Sequence, residues 1–133
     1  MKRRYLVPAL TLVLLSLVPN RAAGERTGLR PSPLPPPPER LLRPLDREVI
    51  LKPIAERAFS WTPVEEAVLY RLEISTDPEF RILLLETYPT SNSFTVRDLP
   101  EGTFYWHVSS INAAGLEGRF STSFSFFYPR RAR

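Results

Sequence analysis

At 133 residues the chain has room for one domain and not for two comfortable ones. The absence of cysteine excludes a disulfide framework, thiolate metal sites and cysteine nucleophiles. The formal net charge of +4 is not a nucleic-acid footprint, because the excess sits at the ends: Pro44 to Tyr128 carries seven basic and twelve acidic residues, while residues 25–43 give +2 and Pro129 to Arg133 give +3.

In chain order, Lys2, Arg3 and Arg4 form a basic start, Tyr5 to Val18 is mostly apolar, and Ala22-Ala23-Gly24 supplies small residues. This is the pattern of a secretory signal over residues 1–24, cleaved after Gly24. The competing reading is a retained anchor, but a bilayer span takes about 20 apolar residues and Pro8 interrupts this shorter run. Cleavage leaves 14 basic and 14 acidic residues, no membrane-spanning segment and an exported protein, periplasmic or extracellular.

Residues 25–40 read as a disordered proline-rich spacer. Pro31 to Pro38 holds six prolines in eight positions, which removes amide donors and fixes φ. In polyproline II geometry that stretch reaches roughly 25 Å. Its LPPPP run also has the form of a ligand for proline-binding grooves, but those readers are mostly intracellular.

From Leu41 the pattern turns to short strands. Glu48 to Lys52 is expected as the first, stopped by Pro53, and Arg57 to Trp61 as the second, with Phe59 and Trp61 on one face. Val68 to Ser75 alternates cleanly, Tyr70, Leu72 and Ile74 inward against Leu69, Arg71 and Glu73. Thr76-Asp77-Pro78-Glu79 is a turn, with Pro78 at its second position. Phe80 to Thr87 and Ser93 to Arg97 are the next strands, Phe94 and Val96 facing inward. After the Leu99 to Gly102 turn, Phe104, Trp106 and Val108 alternate with Tyr105, His107 and Ser109; the first set, bulkier and without an ionisable group, belongs to the core. Asn112 to Gly118 is a connection, and Phe120 to Tyr128 is the last strand, with Phe120, Phe124, Phe126 and Tyr128 expected on one face and Ser121, Ser123 and Ser125 on the other. About seven short antiparallel strands and no helix indicate an all-β sandwich.

Phe59-Ser60-Trp61-Thr62-Pro63-Val64, then Tyr70, Leu72 and Ile74, then Asp77-Pro78-Glu79-Phe80, then Leu99-Pro100-Glu101-Gly102-Thr103-Phe104-Tyr105-Trp106-His107-Val108, then Asn112, Gly115 and Phe120-Ser121 follow one another in order. Over roughly residues 41–128 this resembles a fibronectin type III-like domain of the kind found in exported bacterial proteins. The resemblance implies an immunoglobulin-like fold for residues 41–128, with 129–133 left as a basic tail. Two positions depart from the pattern. The family's corner tyrosine falls on an inward position occupied here by Phe104, Tyr105 pointing the other way, and Arg57 stands where an apolar residue is usual. There is no Arg-Gly-Asp triplet.

The chemistry is sparse. His107 is the one histidine, with no His-x-x-x-His spacing, Gly-rich phosphate loop or Gly-x-Ser-x-Gly elbow beside it. It is expected to be a solvated surface residue, and the protein to be no enzyme, with no cofactor and no metal. If Val68–Ser75, the central strand and the last strand share a sheet, as the resemblance implies, their outward positions Leu69, Arg71, Glu73, Tyr105, His107 and Phe127 form a candidate binding face. Such a face suits another exported or envelope protein, or alternatively a carbohydrate; an ordinary outer sheet face is the plain alternative. Arg130, Arg131 and Arg133 are a candidate contact for anionic groups, against the simpler role of offsetting the acidic domain.

Overall fold

A computed structural model describes residues 33–130. Its centre is the pair of strands with the strictest apolar alternation. Strands β4 (Ala67–Ser75) and β7 (Gly102–Asn112) are antiparallel, in a register that sets Leu72 beside Val108 and Ile74 beside Trp106 on one face. The same register sets Arg71 beside Ser109, Glu73 beside His107 and Ser75 beside Tyr105 on the other.

Around this pair lie β1 (Leu41–Arg43), β2 (Glu48–Val49), β3 (Glu56–Trp61), β5 (Leu83–Thr87), β6 (Ser93–Arg97) and β8 (Phe124–Tyr128). They form two sheets, β1-β3-β6 and β2-β8-β7-β4-β5. All pairs are antiparallel except β2 with β8, which run parallel. Strand, turn and loop account for all the described residues, and no helix occurs among them.

The two sheets close on an aromatic core. Phe59 of β3 meets Trp106 edge-on at 5.0 Å and Phe126 at 5.7 Å, bridging the layers, and Trp61 packs edge-on against Tyr70 at 5.5 Å. Quadrupole geometry favours such edge contacts over face-to-face stacking. Phe59, Trp61, Trp106 and Val108 have no exposed surface.

The expected first strand Glu48–Lys52 is ordered as a strand only over Glu48–Val49, and a further strand, β1, precedes it. Pro44 has no amide to donate, so the first ladder ends at Arg43. The expected strand Phe80–Thr87 begins at Leu83, Phe80 sitting in a turn at φ 57°. The last strand spans only Phe124–Tyr128, and Phe120 lies on the opposite side from Phe124, Phe126 and Tyr128. Parity counted back from Tyr128 fails there because residues 120–123 have left the regular ladder. Of the spacer, Pro35 and Pro38 are buried, so packing on the domain begins ahead of Leu41.

Tyr105 does face outward, and other tyrosines tie the corners. The Ile54 amide donates to the Tyr128 hydroxyl at 2.8 Å while that hydroxyl donates to the Ile54 carbonyl, and the Val64 amide donates to the Tyr70 hydroxyl at 2.9 Å. Arg57 is accommodated by an ion pair with Glu48 at 2.7 Å.

Candidate functional site

The outer face of the five-stranded sheet carries the densest polar chemistry of the domain. Arg71 on β4 donates to Glu86 on β5 at 2.9 Å and to Glu117, in the β7–β8 connection, at 3.0 Å, with Glu73 at 3.6 Å. Glu117 also accepts from the Ser109 hydroxyl at 2.5 Å, and Glu86 from the Tyr88 hydroxyl at 3.3 Å. Glu73 and His107, cross-strand neighbours, meet at 2.9 Å between Oε1 and Nε2. One arginine is thus shared by three carboxylates, and the imidazole takes the free side of the most buried one.

Burial works against the Arg71 charge, but Glu117, Tyr88, Glu86 and Glu73 outweigh it and hold the guanidinium above its ordinary value. Burial pushes the Tyr88 hydroxyl up to about 12; Arg71 pulls it down, and Glu86 and Glu117 push it up.

Aromatic rings close this network. His107 is stacked between Phe80 and Phe120, each 3.7 Å away between centroids and within 5° and 12° of parallel. The Arg71 guanidinium lies 5.3 Å from the Tyr88 ring and 5.9 Å from the Phe120 ring. The expected solvated histidine is therefore a covered one, its side chain only 12% exposed.

The connection after β7 provides the cover. Asn112 accepts from the Ala114 and Leu116 amides, Gly115 adopts φ 82°, and a bridge between Ile111 and Glu117 brings the chain back over the sheet. Ile111, on this outer face, is fully buried beneath it.

Of the face expected from sequence, Arg71, Glu73 and His107 come together in this network. Leu69 is half-buried opposite Ile111, Tyr105 half-buried between Ser75 and Ser125, and Phe127 lies apart at the sheet edge between Thr103 and Val49. Arg130 is exposed and contacts Glu101 at 3.3 Å; Arg131 and Arg133 fall outside the described residues. Phe80, Glu86, Tyr88, Ser109, Glu117 and Phe120 complete the site without having been anticipated. Only the turn residues Asn112 and Gly115 signalled a chain that folds back.

No protein-family model matches the sequence, and no curated protein matches it. Solved structures do match. The domain FN3tt superposes with a TM-score of 0.57 at 15% identity, covering 74% of this chain and 99% of that one. A fibronectin type III domain of human fibronectin type III domain containing protein 3 gives 0.53 at 17% identity, covering 77% and 94%. An Fn3-like protein from Clostridium thermocellum gives 0.51 at 18% identity, covering 72% and 98%. The described residues thus form a fibronectin type III-like, immunoglobulin-like β-sandwich, and the likeness is one of fold.

Proposed function

We propose that this protein is an exported, non-catalytic interaction module that binds another exported or envelope protein through the outer face of its five-stranded sheet. The observation that carries the reading is the fixed arrangement of Arg71, its carboxylates and the Phe80–His107–Phe120 stack on a face the core does not require. Rigid aromatic and arginine groups lose little entropy when a partner closes over them, which is how the strongest contacts of protein interfaces work.

A protein partner is favoured over a glycan because both faces of the His107 ring are already covered, by Phe80 and Phe120, and the Arg71 guanidinium lies over the Tyr88 ring. A non-catalytic role is supported by the engagement of the His107 Nε2 by Glu73 in a nearly closed environment. Export rests on the pattern of residues 1–24, which lie outside the described residues.

The test is in-cell crosslinking of the tagged protein beside a Tyr105→Ala, Phe120→Ala variant, which takes one ring from the face and one from the stack on His107, with the variant's fold checked by a denaturant melt. One protein captured by the wild type and lost in the variant is the expected result. Equal capture by both moves the interface off this face, and saturable glycan binding by the purified protein, lost in the same variant, replaces the protein partner with a carbohydrate.

A further inference from the structure

The proline segment lies on the domain with a period of its own. Pro35, Pro38 and Leu41 are buried, whereas Pro33, Pro36 and Glu39 are exposed. Three residues make one turn of a polyproline II helix, so one ridge of that helix is seated and the next faces solvent. The seat is fitted to backbone: the Pro35 carbonyl comes so near Gly118 that no side chain fits between them. Residues 33–39 make no hydrogen bond to the domain among the described residues. The first are at Arg40, whose amide donates to the Thr62 hydroxyl at 3.0 Å and whose carbonyl accepts from the Thr62 amide at 2.9 Å. The ridge is thus held by packing and anchored at one end, as a segment is that opens locally while the rest stays folded.

We propose that the seat beside Gly118 is a binding site for polyproline II segments, that residues 33–38 are its tethered and displaceable ligand, and that seating fixes Glu117 on Arg71. Proline-rich segments suit such a seat because they are extended beforehand and lose little entropy on docking. The link to Arg71 runs through adjacent residues. Gly118 is held between Pro35 and the Ser110 carbonyl, which accepts its amide at 3.0 Å. Its neighbour Glu117 bridges to Ile111, takes Arg71 on one carboxylate oxygen and takes the Ser109 hydroxyl on the other. An unseated ridge leaves Gly118 with its sheet-side support alone, and Glu117 loosens with it.

The experiment titrates the full chain with a synthetic peptide of residues 33–38 and follows amide and arginine side-chain NMR signals. Three forms are compared: wild type, Pro35→Gly/Pro38→Gly, and that double variant with Gly118→Ala added, each checked by a denaturant melt. In the wild type the tethered segment competes at an effective concentration on the order of millimolar, so free peptide binds weakly. The double variant empties the seat and is expected to bind the peptide at least about tenfold more tightly, with shifts centred on Gly118 and Ser110. Gly118→Ala abolishes that binding. The Arg71 guanidinium protons exchange faster in the double variant and are slowed again by the peptide, a rescue that a damaged fold would not show. None of these signals depends on a captured partner, so the site stands or falls apart from the crosslinking result. A double variant that melts cooperatively and binds no peptide overturns the proposal, as does binding that survives Gly118→Ala or Arg71 exchange equal in all forms. Where the double variant does not melt cooperatively, the wild type decides: saturable shifts at Gly118 under millimolar peptide support the site, and their absence overturns it.

Discussion

Gly118 lies so close to the Pro35 carbonyl that a Cβ at that glycine would fall 1.9 Å from the oxygen. The obstacle is backbone, which cannot swing aside as a side chain would. Gly118→Ala is therefore expected to cost about 1–3 kcal/mol, the range for forcing an extra group into a packed site. In a chain starting at Glu39 the obstacle is gone and the same substitution becomes nearly neutral. Denaturant melts of the four forms measure the coupling between glycine and proline segment. A Gly118→Ala cost that is the same with and without residues 33–38 sinks the account.

The Phe80–His107–Phe120 stack predicts a graded response on the outer face. Phe120→Ala removes a ring that is only half-buried but covers His107 and Arg71, and should cost about 1–2 kcal/mol. Phe59→Ala, which opens a cavity between the sheets, should cost about 3–5 kcal/mol. Phe80→Ala and Phe120→Ala together should be non-additive by about 0.5 kcal/mol or more, because each fixes the same imidazole. Strict additivity would mean that His107 holds its place without them.

What was legible in the sequence follows the regular ladders. Tyr70, Leu72, Ile74, Phe104, Trp106 and Val108 alternate within strands that pair without interruption through that stretch, so parity alone assigns them to the core. His107 and Glu73 could be put on one face for the same reason. Of the rest of the site, Glu86 and Ser109 sit in the ladders beside Glu73 and Arg71, while Phe80, Tyr88, Glu117 and Phe120 come from chain outside the strands, where a period of two has no meaning. Phe80 is set by a turn residue at positive φ, Phe120 by the fold-back of the β7–β8 connection, and Glu117 by its bridge to Ile111. The proline segment shows the other limit: composition dictates an extended backbone, but that Pro35 docks depends on Gly118, which in sequence looks like any turn glycine.

Tyr128 and Tyr105 separate a structural hydroxyl from a surface one. Tyr128→Phe leaves both backbone groups of Ile54 without their partner and should cost about 1–2 kcal/mol, read as a shift in denaturant midpoint at unchanged slope. The Tyr105 hydroxyl makes no hydrogen bond among the described residues, so Tyr105→Phe should stay within about 0.5 kcal/mol of wild type. The reverse ranking would restore the corner role that the resemblance assigns to the tyrosine after the Leu99–Gly102 turn.

Asp77 gives the domain an acid-sensitive turn next to the candidate site. Its carboxylate accepts from the Arg81 side chain at 3.1 Å and from the Arg81 and Glu79 amides at 2.9 and 3.2 Å, while the Phe80 amide closes the turn on the Asp77 carbonyl at 2.9 Å. These bonds, the Arg81 side chain's first, lower its pKa from 3.8 to about 2. A carboxyl that binds its proton less readily when folded contributes stability that is complete above its unfolded value and is lost as pH falls through its folded one. The turn should therefore hold at pH 3 and loosen near pH 2. Phe80 sits inside it, so the stack on His107 should loosen in the same window. Carbon NMR of the Asp77 carboxyl should show the titration near 2, and Asp77→Asn should remove that part of the stability change between pH 4 and 2. An Asp77 titrating at its ordinary value would mean that Arg81 does not hold it, and that the position of Phe80 over His107 is set by packing on the sheet instead.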